Sequence, residues 1–127
     1  MRDFKKIKAW QKAHTFVLEI YSLAKEFSNN DIDGIAKQLR KASVSIPSHI
    51  SEGCGHNSKI ELYEFLEIAM AATSEVEYLM ILSKDIEILN KDKYAKINSE
   101  LLEVREELNI FMQEIDEEIH SKNSNKF

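Results

Sequence analysis

Among its 127 residues the chain has one cysteine, one proline, three glycines and one tryptophan. A lone Cys54 excludes an internal disulfide framework, and no second cysteine stands near it to build a zinc site. The thinness of proline and glycine leaves few turns, so the secondary elements must be few and long. There is no run of some 18 or more apolar residues of the kind that crosses a bilayer. The first residues, MRDFKKIKAWQKAH, lack the apolar core of a secretory signal. Together these features predict a cytoplasmic protein without a membrane partner.

Apolar residues make up 43% of the chain and charged residues 31%, a balance suited to one helical domain spanning residues 1–127. The net charge of −5 is unevenly spread. Residues 1–41 hold nine Lys/Arg against five Asp/Glu, whereas residues 42–127 hold eight against seventeen. The acidic remainder argues against a chain coated in nucleic acid. The basic third leaves room for a local anion-binding patch or for an ordinary solvated surface.

Periodicity divides the chain into four helices. The first is predicted over Ile7–Phe27, with Trp10, Ala13, Val17, Ile20, Tyr21 and Ala24 in one stripe. Lys5, Lys6, Lys8 and Lys12 crowd its entry, where the helix dipole disfavours cations, and such a cluster suits an anion. Asn30 or Asp31 is expected to cap the second helix. Along that helix Ile35, Leu39, Ala42, Ile46 and Ile50 fall on one face. Pro47 lies inside the pattern and predicts a kink or break, with nearby serine hydroxyls as substitute partners. Gly53 and Gly55 are expected to stop the helix. Ser58 and Glu61 then fit a capping box for a third helix over Lys59–Leu89.

The third helix carries three apolar lines rather than one. Leu62, Leu66, Ala69, Thr73, Val76, Met80 and Ser83 form a heptad-like seam. Phe65, Ala72, Leu79 and Ile86 lie on one flank, and Tyr63, Met70, Ile81 and Ile88 on the other. A helix apolar on most sides is buried on most sides, which predicts contact with another subunit. Asn90 is a cap for the fourth helix, whose seam is Tyr94, Ile97, Leu101, Val104, Leu108, Phe111 and Ile115. Its opposite face is acidic. Residues 1–6 and 120–127 are expected to fray. The connections between consecutive helices are short, so the expected fold is an all-α, antiparallel up-down-up-down four-helix bundle.

Gln38-Leu39-Arg40-Lys41-Ala42, Ser45-Ile46-Pro47-Ser48 and Glu52-Gly53 follow one another at a characteristic spacing. Trp10-Gln11-Lys12-Ala13, Glu64-Phe65-Leu66 and Glu75 with Glu77 and Met80 complete the order. In this the chain resembles the 23S rRNA intervening-sequence proteins, the S23-like four-helix bundle family, over roughly residues 4–115. It departs from that pattern at His49 (usually Asn), Ser51 (Ala), His56 (Arg) and Met70-Ala71-Ala72 (Arg-Gly-Ser). The resemblance implies the same bundle fold and a homo-oligomer, with pentameric rings among family members. Related accessory proteins of diversity-generating retroelements bind nucleic acid through basic surfaces. On that analogy RNA or DNA is an expected partner, with Lys5, Lys6, Lys8, Lys12, Lys37, Arg40 and Lys41 as candidate contacts. Trp10, Gln38, Pro47, Glu52, Gly53 and Glu75 stand as the residues of the family motif.

Catalytic and metal readings are weak. Glu52, Cys54 and His56 alternate along a glycine-rich turn, but His14, His49 and His120 are scattered, so a buried thiol is expected rather than a metal site. Glu52 and Glu75 could perform acid–base chemistry only if their carboxylates converge; otherwise each is a structural acceptor, with Arg40 as one neutralising cation for Glu52. The chain is therefore expected to be a non-enzymatic oligomer without metal or cofactor, acting as a nucleic-acid-associated scaffold or as a protein-interaction module.

Overall fold

The structure, a computed structural model, describes the backbone of residues 1–27 and 34–124 and side chains as far as Ser121. After a short 3-10 turn at Phe4–Lys6 come four helices: α1 (Lys8–Glu26), α2 (Ile35–Cys54), α3 (Lys59–Asp85) and α4 (Lys91–Ser124). No strand occurs among the described residues. Each helix packs on its chain neighbours, and α4 closes back on α1. Ion pairs report the direction of that last contact. Lys8 meets Glu107, Lys12 meets Glu103 and Glu26 meets Lys93, so numbers rise along α1 as they fall along α4. The fold is the expected antiparallel four-helix bundle.

The core is filled from all four seams. Phe16 and Ile20 of α1, Leu39, Ile46 and Ile50 of α2, Leu66, Val76 and Met80 of α3, and Leu101, Leu108 and Ile115 of α4 have almost no solvent contact. Three small hydroxyl residues are buried with them, and each donates back to its own helix. Ser43 Oγ bonds the Arg40 carbonyl, Thr73 Oγ1 the Met70 carbonyl and Ser83 Oγ the Leu79 carbonyl. Their polar atoms are thereby satisfied without reaching water.

α2 ends at Gly55, its C-cap, as expected, but it is not broken at Pro47 and it runs through Gly53. The helix runs from Ile35 to Cys54 without a break at Pro47, which is buried. Proline removes a single donor, and a helix held by packing on two neighbours absorbs that loss. Ser51 Oγ donates to the Pro47 carbonyl. Gly53 does not stop the helix and needs no special dihedral. It permits close approach of α3: a Cβ there would lie 2.9 Å from both Leu62 Cδ1 and Phe65 Cβ. Gly55 is also right-handed, at φ −75°. The one positive-φ glycine is Gly34 at +70°, which precedes α2 as its N-cap. The expected caps Asn30 and Asp31 lie outside the described residues.

α3 ends at Asp85, four residues earlier than expected. Ile88 N–H donates to the Ser83 carbonyl and Glu87 N–H to the Lys84 carbonyl, the two bonds of a Schellman ending. Glu87 occupies its left-handed position at φ +68°. Ser58 caps the start of α3, accepting from Glu61 N–H, but the Glu61 carboxylate turns to His56 Nδ1 at 2.7 Å instead of completing the capping box. Asn90 Oδ1 accepts from Lys93 N–H and caps α4 as expected. At the other end Arg2 N–H donates to the Cys54 carbonyl, and the Arg2 side chain reaches Glu118.

Two substitutions test this account. Gly53→Ala forces a methyl into the α2–α3 contact, and chemical denaturation is expected to show a loss of about 1–3 kcal/mol, the usual range for overpacking. Glu87→Gly relieves a left-handed L-residue at an exposed site, and the same measurement is expected to show a gain of about 0.5–1 kcal/mol after the entropy cost of glycine.

Candidate functional site

The seven candidate cations do not form one patch. Lys5, Lys6, Lys8 and Lys12 sit at the start of α1, while Lys37, Arg40 and Lys41 sit on the first turns of α2, beside the far end of α1. Arg40 lies over the Tyr21 ring, 6.0 Å from its centroid. The 13 residues between Lys8 and Tyr21 span about 20 Å of helix. The two groups therefore occupy opposite ends of the bundle.

Their electrostatic surroundings also differ. Lys8 Nζ is 3.4 Å from Glu107 and Lys12 Nζ is 3.3 Å from Glu103, both across the α1–α4 seam. The acidic face of α4 thus supplies the anion that the entry of α1 lacked. Lys5 lies beside Asp3 and over the Phe4 ring. Lys37 and Lys41 are exposed, and neither they nor Arg40 has a carboxylate within ion-pair distance among the described residues.

Helical spacing shows what accompanies those α2 cations. On α1, His14, Leu18, Tyr21 and Lys25 recur at four, three and four residues and are all exposed. On α2, Lys37, Lys41, Val44 and Ser48 do the same. The Arg40–Tyr21 contact places these two rows side by side, on the outer side of the α1–α2 pair. The resulting face contains three amines, a guanidinium, large apolar side chains and no carboxylate in either row. Trp10 continues it toward the N-terminus, half-buried between Phe4 and a parallel stack with His14 at 5.0 Å. Sequence reasoning missed Lys25, His14, Leu18 and Tyr21 as companions of the basic pair. The signal was the 4-3-4 spacing on the outer side of α1, overshadowed by the denser lysines at its start.

The carboxylate pair does not converge. Glu52 lies in the last turn of α2 and Glu75 in the middle of α3, both exposed. The α2–α3 turn sets Glu52 near the start of α3, so about 20 Å of helix separates the two levels. Neither makes an ion pair or side-chain hydrogen bond among the described residues. Glu52 is also 12 positions from Arg40 on the same helix, so that neutralising pair does not form.

The glycine-rich turn holds a structural cluster. Cys54 is buried, and burial pushes its thiol above the ordinary cysteine value, against weaker opposing effects of Arg2 and the N-terminal amine. His56 stacks on Phe65 at 5.1 Å while pairing with Glu61, and His49 lies over the same ring at 6.2 Å. Among the described residues no three His, Cys, Asp or Glu side chains are placed to hold a metal ion. No described helix is long and apolar enough to cross a membrane.

Much of the surplus apolar surface of α3 is used within the bundle. Ala72 and Leu79 are buried, and Tyr63, Met70 and Ile88 pack partly against the core. What remains outside is Ile60, Ile68 and Tyr78 on α3 and Ile86 just past its end, with Leu102 and Ile110 on α4.

No curated protein matches the chain. Among solved structures it is similar to a protein of unknown function from the S23 ribosomal protein family of Bacteroides thetaiotaomicron VPI-5482. The two are 25% identical and superpose with a TM-score of 0.77 over 82% of this chain and 97% of that one. The pattern that defines the 23S rRNA-intervening sequence proteins matches residues 5–110. With the bundle geometry and the motif residues of α2 in place, the chain belongs to the 23S rRNA-intervening sequence protein family.

Proposed function

We propose that the protein is a non-enzymatic, self-associating scaffold that works through its outer helix faces. The observation that carries this reading is the set of large apolar side chains left outside a core that is already complete. Leu18 is 58% exposed and Tyr78 is 60% exposed, with Tyr21, Leu102 and Ile110 also outside. Such side chains gain by being covered, and a second subunit covers them. The pentameric ring implied by the family resemblance is one assembly of this kind. The separation and exposure of Glu52 and Glu75 support a non-catalytic role. A single buried, unpaired cysteine fits the reducing cytoplasm.

A specific observation favours a second reading, nucleic-acid association: Lys25, Lys37, Arg40 and Lys41 share a face and have no carboxylate partner among the described residues. Phosphate contacts would come from these four, and Tyr21 offers a ring for stacking. Lys8 and Lys12, paired with α4, would contribute little.

Light scattering at low salt, paired with mobility shift of a single-stranded RNA and a duplex DNA, tests both readings. The scaffold reading expects a mass several times the 14.7 kDa protomer with no shift of either nucleic acid. A protomer-sized mass at high micromolar concentration would overturn it. A shift that weakens steeply with salt and is lost in Lys37→Glu/Lys41→Glu would establish the second reading instead.

A further inference from the structure

The outer sides of the bundle are electrically opposite. On α3, Glu67, Ala71, Ser74 and Tyr78 recur at four, three and four residues, all exposed. On α4, Leu102, Glu106, Asn109 and Gln113 do the same. Arg105 ties these rows together. Its guanidinium bonds Thr73 Oγ1 at 3.2 Å and Glu77 at 3.1 Å, one residue away from Ser74 and Tyr78. Leu102 and Asn109 stand three and four residues on either side of Arg105, on its flank of α4. Exposed Asp85, seven residues beyond Tyr78 on α3, and exposed Glu117, four beyond Gln113 on α4, extend the same side. The α3–α4 face therefore carries carboxylates, amides and two large apolar side chains, and neither row contains a cation. The α1–α2 face carries cations and apolar side chains, and neither of its rows contains a carboxylate. Because each helix touches only its chain neighbours and α4 closes on α1, the two faces lie on opposite sides of the bundle.

We propose that the α1–α2 face of one copy docks on the α3–α4 face of a second copy. The proposal rests on the self-association argued above and names its surfaces. Charge complementarity selects the occupant. Pairing α1–α2 with itself sets amines against amines, and pairing α3–α4 with itself sets carboxylates against carboxylates, so a two-fold dimer through either face is disfavoured. Opposite faces in contact place Lys37, Arg40, Lys41 and Lys25 against Glu67, Glu106, Asp85 and Glu117. They also cover Leu18, Tyr21 and Val44 with Tyr78 and Leu102, which area alone would favour. A contact between two different patches is heterologous. It leaves one face of each kind open at the ends, so it repeats until a ring closes or a filament grows.

Charge reversal in complementary variants tests this. Lys25→Glu/Lys37→Glu/Lys41→Glu makes both faces acidic, and Glu67→Lys/Asp85→Lys/Glu106→Lys makes both basic. All six positions are exposed, and circular dichroism is expected to show helix content unchanged; the single changes Lys41→Glu and Glu106→Lys shift the mass in the same direction if a triple variant unfolds. At low salt, light scattering is expected to return 14.7 kDa for each variant alone. An equimolar mixture is expected to reassemble to a mass several times the protomer, since every contact between unlike variants is again between opposite charges; a ring with an odd number of subunits cannot alternate throughout, so its mass need not equal that of the wild type. Variants that assemble as wild type does, or a mixture that stays at the protomer mass, would overturn the assignment of these faces. A wild-type protein that is itself a monomer under the same conditions would overturn self-association as a whole.

Discussion

The close approach of α2 and α3 at Gly53 is the contact on which the rest of the geometry depends. Hydrogen in place of a side chain lets Leu62 and Phe65 move in to distances that a Cβ would not tolerate. The Phe65 ring stacks with both His49 and His56, so three rings gather at the turn between the helices. With that turn fixed, the Cys54 carbonyl is presented to Arg2 N–H, and the N-terminal residues lie across the end of the bundle instead of trailing into solvent. Arg2 then reaches Glu118 at 2.5 Å, which links the end of α2 to the far part of α4. A packing constraint at one glycine thus propagates through aromatic stacking and a backbone bond to the opposite helix.

The α1–α4 seam is organised by charge to a greater degree. Lysines at the start of α1 meet glutamates on α4, and Glu26 at the end of α1 meets Lys93. Exposed pairs of this sort contribute only about 0.2–1 kcal/mol each, so they do not hold the bundle together against the buried apolar seams. Their larger consequence is selection of orientation, because a parallel arrangement of α1 and α4 would lose this pairing. They also pair Lys8 and Lys12 of the densest basic cluster with α4, whereas the α2 group has no ion pair among the described residues.

The four helices were legible because their seams repeat at three and four residues for about four to six turns, a signal that tertiary contacts only reinforce. The ends were less legible. Asp85 rather than Leu89 ends α3 because a Schellman turn can accept Glu87 at a left-handed dihedral, a choice invisible to periodicity. Of the kink or break expected at Pro47, the break does not occur, because propensity describes an isolated helix, whereas α2 is clamped between α1 and α3. Gly53 was legible as important and misread in its reason: a glycine that stops a helix and one that admits a neighbour look the same in one dimension. The lysine cluster failed as a single patch for a related reason. Residues 5–12 and 37–41 are both basic, but antiparallel packing sends them to opposite ends, and only three-dimensional proximity to Glu103 and Glu107 distinguishes paired from unpaired amines.

The departures from the family pattern bear on the same electrostatics. Where the resemblance has arginine, this chain has His56 and Met70. His56 is taken up by the α2–α3 turn, stacked on Phe65 and paired with Glu61. Met70 is half-buried beside Thr73, with its sulfur 3.8 Å from the Thr73 hydroxyl, on the flank of α3 that meets α4. Neither position lies in the α1–α2 rows. Replacing those two cations therefore leaves the basic face untouched and removes positive charge from the half of the bundle that is already acidic. The substitutions sharpen the contrast between the two sides, which is the direction expected if opposite charge on opposite faces is what the surface of this chain is built to present.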